Sequence, residues 1–540
     1  MQEKEDERQS TFYNNITQDE RAVLLKTSLS QLLKEPNVKE ENGSSCNDDN
    51  DETQSLRGRI EVFVSNGSLE RALTLLKETM AAATADNNND DDDEMANNDK
   101  DENDINDDDD HHHQATIVEL ALHSLATVSV GASDALKNDR LLPATSDVHR
   151  CMESPFLSNP RIQEHACLFL RQLSNPLLQE LVAAGSLSRI VRAMQHHPTS
   201  PRIQECGNAT LYNLLPVCPK KVLHKEIIFN GMIPTILEGM RRSGLEGTEE
   251  EHLSSLQVLK YGFLVWTRLI KQEKRQEQSV LNYQEHIVSK GGLDILFSTI
   301  SSFSNSNDNN PEEEEAELEL AQITCTLWQH CSRLLSLDIQ RMMVAKDGIP
   351  LLFTSIMRNG KFMASVDIQD PAMATVRNLC VYNPNVVFES GGIPTILVLM
   401  THFYPKDAAI QAYGCDALGR MAMGIGAING EKTNNKSNNN IKIKEAIYSE
   451  QGVVAAVDAM KYHAHHSGVK DRAIFLLSQL IEYPPALAQL QAIDGIVPFL
   501  QNTKVATSKR KQLDALLKCV KGTNKTKQQP GWFFQRKYVQ

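Results

Sequence analysis

The sequence predicts an all-α solenoid built from a repeated three-helix unit, and three observations predict it. A glycine-centred turn recurs as Ala184-Gly185-Ser186-Leu187, Asn230-Gly231-Met232-Ile233-Pro234, Gly291-Gly292-Leu293, Asp347-Gly348-Ile349-Pro350, Gly391-Gly392-Ile393-Pro394, Gln451-Gly452-Val453 and Asp494-Gly495-Ile496-Val497-Pro498. A longer helix in one fixed register of apolar and small residues also repeats. Aromatic residues make up only 6% of the 540 residues, which suits helices stacked through Leu, Ile, Ala and Met.

The clearest copy covers 391–418. The Gly391-Gly392 pair gives cheap access to positive φ, and Pro394 fits the first turn of a helix, where no intrahelical N–H is needed. Ile396, Leu397, Leu399 and Met400 then supply an apolar face. After Pro405-Lys406-Asp407, residues Ile410, Gly414, Leu418 and Met421 mark one face of a second helix at steps of four, four and three. Neither helix can bury its stripe alone, so the neighbouring copy must cover it. From 185 to 495 the turns are spaced by 46, 61, 56, 44, 60 and 43 residues. The short spacings set the unit. The long ones carry polar insertions at 243–251, 301–315 and 429–440, expected as surface loops, with Glu312–Glu315 read as a solvated loop or as a helix start preceded by Pro311.

The longer helix repeats with apolar or small residues at +4, +8 and +11 from its start. Ile203, Gly207, Leu211 and Leu214 show the frame, as do Ile162, Ala166, Leu170 and Leu173, then Ile368, Ala372, Val376 and Leu379, then Val469, Ala473, Leu477 and Leu480. Leu256, Lys260 and Leu264 follow it imperfectly. A small residue at +4 lets neighbouring helices approach closely.

Taken from the N-terminus, residues 1–55 are polar, with one helix expected around Asp19–Leu33 and a solvated linker over Glu40–Glu52. Leu56–Met80 reads as two helices around Asn66-Gly67. Asp86–His113 is nearly all Asp, Asn and Glu, ends in three His, and is expected to be a disordered insertion. Ile117, Ala121, Leu125 and Val128 rejoin the frame. The solenoid is therefore placed at 56–520, with about nine repeats. An irregular unit over Ala132–Leu173 is one of them, and Lys504–Val520 closes the array. A basic and aromatic tail follows at 521–540.

The net charge of −15 is unevenly spread: residues 1–115 carry 30 Asp/Glu against 11 Lys/Arg, while 501–540 carry 10 basic residues and one acid. The polarity belongs to tails and loops. The ten cysteines form no Cys-x-x-Cys pair, the first residues lack an apolar signal region, and no run approaches 18 apolar residues. A soluble intracellular protein with reduced thiols is expected, cytoplasmic with the nucleus as the alternative, monomeric, and not inserted in a membrane.

The turn and the Ile-Gln helix start make the chain resemble the armadillo-repeat family. Met194, His197, Pro198, Ile203, Gln204, Gly207 and Leu211 match its pattern. Met400, His402, Ile410, Gln411, Gly414, Cys415, Ala417 and Leu418 match it more fully. HEAT repeats are the structural alternative. The resemblance covers 56–520 and implies a right-handed superhelix whose concave face is lined by the third helix of each repeat. Family members bind extended partner segments there, often through an Asn ladder. The corresponding position, +10 in the frame, holds Gln172, Asn213, Trp266, Gln329, Asn378, Arg420 and Gln479, all able to donate hydrogen bonds. These same positions also suit solvated polar residues between apolar ones. The nuclear-import branch adds a Trp four residues earlier; here those positions are Leu168, Ala209, Gly262, Cys325, Ala374, Asp416 and Phe475, so that role is not expected.

No phosphate loop, nucleophile elbow or His-Glu-x-x-His motif is present. No catalytic, cofactor or metal residue is nominated: His111-His112-His113 lies in a tract without fixed geometry, and His463, His465 and His466 read as a helix C-terminus. The expected function is a non-enzymatic scaffold for protein partners. The alternative is a nucleic-acid-associated or transport-related protein using the tail around Lys509-Arg510-Lys511 and Trp532-Phe533-Phe534; nucleic acid is the weaker partner class.

Overall fold

Helices account for the regular structure, with no strand among the described residues. The computed structural model describes residues 18–33, 48–86, 105–243, 249–274, 283–303, 311–333, 337–424 and 436–522. Packing divides the chain into two units, Met1–Lys290 and Gly291–Gln540.

In the first unit the helices are α1 (Gln18–Leu32), α2 (Asp48–Ser65), α3 (Ser68–Asp86), α4 (Ile105–Gly131), α5 (Leu142–Cys151), α6 (Pro160–Leu173), α7 (Leu178–Ala183), α8 (Ser186–His196), α9 (Pro201–Leu214), α10 (Lys220–Ile228), α11 (Met232–Arg242), α12 (Glu249–Lys274) and α13 (Tyr283–Ser289). The long third helices α4, α6, α9 and α12 pack side by side in sequence order. Phe169, Leu170, Leu211 and Phe263 are fully buried in this unit.

The second unit contains α14 (Gly292–Ser302), α15 (Pro311–Arg333), α16 (Leu337–Ala345), α17 (Gly348–Leu352), α18 (Gly360–Met363), α19 (Val366–Leu379), α20 (Pro384–Glu389), α21 (Gly392–Val398), α22 (Ala408–Met423), α23 (Lys436–Ser449), α24 (Gly452–Tyr462), α25 (Ser467–Leu480), α26 (Pro484–Ala492), α27 (Ile496–Asn502) and α28 (Thr507–Gly522). Here α15, α19, α22, α25 and α28 form the third-helix row. Trp328, Phe353, Phe362 and Leu418 are fully buried.

Two devices explain the repeated sequence pattern. The Gln that follows the Ile of helix three is buried and bonds the carbonyls that end helix two. Gln204 Nε2 donates to the Met194 and His197 carbonyls at 2.8 and 3.0 Å, and Gln411 Nε2 to those of Met400 and Tyr404 at 2.6 and 2.9 Å. Gln163 and Gln369 do the same in their repeats. Helix C-termini leave such carbonyls without intrahelical partners, and burying them unpaired would be costly. The second device is close approach: the Met ending helix two lies over a glycine of helix three, as Met194 over Gly207, Met240 over Gly262 and Met400 over Gly414, where a Cβ would overlap the sulfur.

The turn into helix two also has a sharper register than the spacing suggested. Its left-handed residue is the one before the helix, and at two copies it is not glycine: Asp347 has φ 54° and Gln451 φ 65°. The glycines that follow, Gly348 and Gly452, are demanded by contact instead. A Cβ on either would lie 2.8 Å from a carbonyl oxygen of the preceding helix, Met343 or Ile447.

The structure moves several expected boundaries. The acidic insertion expected over 86–113 ends in helix: α4 begins at Ile105, so 105–113 belong to it, and 87–104 lie outside the described residues. The same holds at the expected loops. Helix α12 begins at Glu249 within 243–251, α15 at Pro311 within 301–315, and α23 at Lys436 within 429–440. In α15 Glu312, Glu313 and Glu314 lie in the first turn, where the helix dipole favours negative charge, and an established helix extends at little cost. Helix α2 begins at Asp48 rather than 56, inside the expected linker. Helix α28 runs through Gly522, and 523–540, most of the basic tail, lie outside the described residues.

Candidate functional site

The third helices bury their +0, +4, +8 and +11 residues and leave the +10 residue half-buried, except in α19, where Asn378 is buried. The Met240–Gly262 contact fixes the frame of α12 at Val258, Gly262, Trp266 and Leu269. Trp266 is therefore a core residue, 3% exposed, and not a member of the partner row as expected. The imperfect Leu256 frame was two residues out of register. The true +10 residue is Arg268, whose Nη2 donates to Tyr212 Oη at 2.9 Å with its guanidinium 4.5 Å from the ring centre.

A second shift concerns α15. Asn213 Nδ2 donates to Ser174 Oγ at 2.7 Å, and Ser174 Oγ donates to the Arg171 carbonyl at 2.6 Å. Asn378 Nδ2 repeats this with Ser332 Oγ at 3.0 Å, which donates to the Gln329 carbonyl at 3.0 Å. The correspondence of Ser174 with Ser332 and Arg171 with Gln329 puts Gln329 at +9 and His330 at +10. Gln329 is half-buried and lines a cavity of 390 Å³ with Thr326, Asp367, Asp370 and Asp407. Burial, together with Asp407 and Asp367, raises the Asp370 carboxyl above its ordinary value. Both asparagines thus use an amide N–H to tie one third helix to the one before it.

Of the remaining expected residues, Gln172 is half-buried. Gln479 is half-buried and donates to Ser478 Oγ at 3.3 Å. Arg420 lies on a carboxylate that the sequence reading did not single out. Asp416 sits beneath three arginines from three consecutive third helices: Arg377 Nε at 2.6 Å, Arg420 Nε at 3.2 Å and Arg472 Nε at 3.9 Å. Arg377, Asp416 and Arg472 occupy +9, +6 and +3 on α19, α22 and α25, a diagonal across the row, with Arg420 at +10. The signal was in the sequence, as charged residues three positions apart in successive frames, but reading it needs the offset between neighbouring helices.

The first unit has its own arginine cluster. Arg171 Nη1 bonds Glu205 Oε1 at 2.6 Å and Arg171 Nη2 bonds Tyr261 Oη at 3.0 Å, linking α6, α9 and α12. The guanidinium also lies 5.1 Å from the Tyr261 ring centre, within cation–π range. Arg202 approaches the same Glu205 at 3.7 Å. This unit also holds a buried imidazole, His149, and a half-buried one, His165. His149 faces Ser186 Oγ at 2.9 Å, and His165 stacks on His123 with ring centres 4.4 Å apart. Burial first, then Arg189, pushes the His149 pKa down to about 4. Burial, His123 and Arg161 push that of His165 down to about 4.

No group of three or more His, Cys, Asp or Glu suited to a metal ion occurs among the described residues. His463 is the C-cap of α24, its backbone N–H donating to the Ala459 carbonyl, whereas His466 belongs to the start of α25, its Nδ1 accepting from Val469 N at 3.2 Å. Burial pushes the Cys206 and Cys415 thiols up to about 11 and about 12, so neither supplies a thiolate nucleophile at neutral pH. No described helix is long and apolar enough to cross a membrane. In the described part of the basic C-terminus, Leu513, Leu516 and Val520 of α28 are buried, and α28 packs on α25.

No family model and no curated protein matches the chain. Solved structures do. An engineered protein is 15% identical, covering 92% of this chain and 98% of its own length, at a TM-score of 0.55. A structure from work on the phosphorylation switch that controls the interaction between cadherin and beta-catenin is 12% identical over 92% of this chain and 88% of its own, at 0.54. A designed armadillo repeat protein aligns with 62% of this chain and 99% of its own length, 12% identical, at 0.31. The two matches above 0.5 agree with the helical order described above: the chain is an all-α solenoid.

Proposed function

We propose that this chain is a non-catalytic scaffold that holds extended protein segments on its third-helix face. The observation that carries the reading is the corrected +10 row. It holds Gln172, Asn213 and Arg268 in the first unit and His330, Asn378, Arg420 and Gln479 in the second, and all can donate hydrogen bonds. Each lies between apolar residues of the same helix that are buried, and all but Asn378 are half-buried rather than fully solvated. A half-exposed line of donors on packed helices suits the main chain and polar side chains of a segment laid across it. The solenoid neighbours support the fold that such a face requires.

Site-specific photocrosslinking tests the reading. A photoreactive residue at Gln172 or Gln479 is expected to capture partner protein in cells. The same residue at Arg192 or Asp458, both exposed on second helices, is expected to capture little. Equal capture from both faces, or none from the third helices, removes the reading.

A further inference from the structure

In the second unit three arginines share one carboxylate, and among the described residues no other acid pairs with any of them. Asp416 is 9% exposed at its side chain, while Arg377, Arg420 and Arg472 are 28%, 23% and 34% exposed. Their donors are only partly used. Arg377 Nη1 donates to Asn378 Oδ1 at 2.9 Å, Arg420 Nη2 to Asp416 Oδ2 at 3.3 Å, and Arg472 Nη1 to the Gly468 carbonyl at 3.1 Å. The described residues offer no acceptor to Arg377 Nη2, Arg420 Nη1 or Arg472 Nη2. Three forks with spare N–H groups therefore converge on a surface where one buried carboxylate balances a third of their charge.

We propose that Arg377, Arg420 and Arg472 form a receptor for a phosphorylated side chain on an extended segment of a partner protein; the proposal rests on the scaffold reading above. The excess charge of three arginines over Asp416 matches the roughly −1.5 to −2 of a phosphomonoester at neutral pH. Guanidinium forks suit its several oxygens in a way that a point charge does not. Asp416 is a positioning residue: it holds the three guanidiniums in one place across α19, α22 and α25. Beside them, the Phe475 ring leans over Gly419, so closely that a Cβ there would lie 2.7 Å from it, and Lys509 Nζ stands 5.3 Å from the ring centre, adding a cation at the edge. The arginines lie between packed helices rather than on projecting tips. An anion must reach in among side chains, which a side chain of a peptide does and a lipid surface does not.

The test uses the full chain and an immobilised degenerate peptide library with phosphoserine fixed at its centre. The same library with serine or glutamate there, inorganic phosphate as competitor and anionic lipid vesicles serve as the other arms. The expected result is retention about tenfold stronger on phosphoserine than on serine, with glutamate between, falling steeply as salt rises. Arg472→Gln, which removes the outermost arginine, is expected to lower phosphoserine retention about fivefold. Asp416→Asn, near-isosteric and without the counter-charge, is expected to raise it a few-fold. That opposite sign separates an anion receptor from a structural ion cluster, whose two variants would lose retention together. Equal retention on serine, indifference to Arg472→Gln, or a fall with Asp416→Asn overturns the proposal. So does full competition by inorganic phosphate at the peptide's own concentration, or binding to vesicles alone. Crosslinks from Gln172 that persist in Arg472→Gln would leave the scaffold reading standing while this one fails. Phosphoserine retention without those crosslinks would do the reverse.

Discussion

The two arginine clusters sit on the same kind of helix and reach a similar depth, yet their partners differ. In the first unit Arg171 is held between a carboxylate and a phenol, its guanidinium beside the Tyr261 ring, and Arg268 is held by Tyr212 in the same manner. These arginines tie α6, α9 and α12 together. In the second unit Asp416 is, among the described residues, the one carboxylate paired with three arginines. A tyrosine supplies an acceptor and a stacking face without cancelling charge, and it occupies the guanidinium. Without tyrosines, the second cluster keeps donors and charge on its surface. The lesson is that exposure alone does not separate a structural arginine from one available to a ligand. Arg171 is 25% exposed and Arg420 23%, and what differs is the number of acceptors around each.

The largest expected effect breaks this comparison most plainly. Arg171→Ala leaves the carboxylate of Glu205, 7% exposed, without its closest partner and is expected to destabilise the first unit by about 2–3 kcal/mol. Arg472→Ala, whose Asp416 keeps two closer arginines, is expected to cost less than about 0.5 kcal/mol. Hydrogen exchange read on peptides from α9 and α22 checks both; comparable losses would erase the distinction between the clusters.

Acid should then separate the units. His149 and His165 have folded pKa values near 4, below the ordinary 6.5, so the unfolded chain binds more protons between those values. Their contribution is fully present above pH 6.5 and is lost as pH falls toward 4. At pH 5 the first unit is expected to lose about 2 kcal/mol through each, on the order of 4 kcal/mol for the pair. Asp370 in the second unit is shifted upward, which favours its protonated folded form and pushes the other way. Exchange at pH 7 and pH 5 should therefore rise in α5 and α6 before α19.

Much of this was legible in the sequence, and what escaped had physical reasons. The turns and the +4, +8, +11 frame were legible because packing forces them: a Met must lie over a Gly, and a Gln must meet the carbonyls that end helix two. Trp266 was misplaced because Leu256 and Leu264 offer an alternative apolar stripe, and only the Met240–Gly262 contact decides between them. The stretch 105–110 resembled a loop by composition, which does not show that it begins a helix, whereas Pro311 before 312–315 left a helix start open there. Arg420 was expected in the partner row, but Asp416, Arg377 and Arg472 escaped because the cluster joins three repeats, and the offset between adjacent helices is a tertiary property.

Smaller effects sharpen the account. Asn213→Ala and Asn378→Ala remove the same bond to a serine in the two units and are each expected to cost about 1 kcal/mol. Thermal or denaturant unfolding should show similar losses, in contrast to the arginine variants. Asp347→Gly relieves a left-handed residue and is expected to stabilise the second unit by about 0.5–1 kcal/mol, read as a higher unfolding midpoint.

The most direct test places Arg171→Gln and Arg472→Gln side by side on the phosphoserine library at rising salt, with each variant's folding checked by circular dichroism. The predicted result is near wild-type retention for folded Arg171→Gln, and about fivefold weaker, less salt-dependent retention for Arg472→Gln. Equal retention by the two variants would contradict the assignment of one cluster to structure and the other to binding.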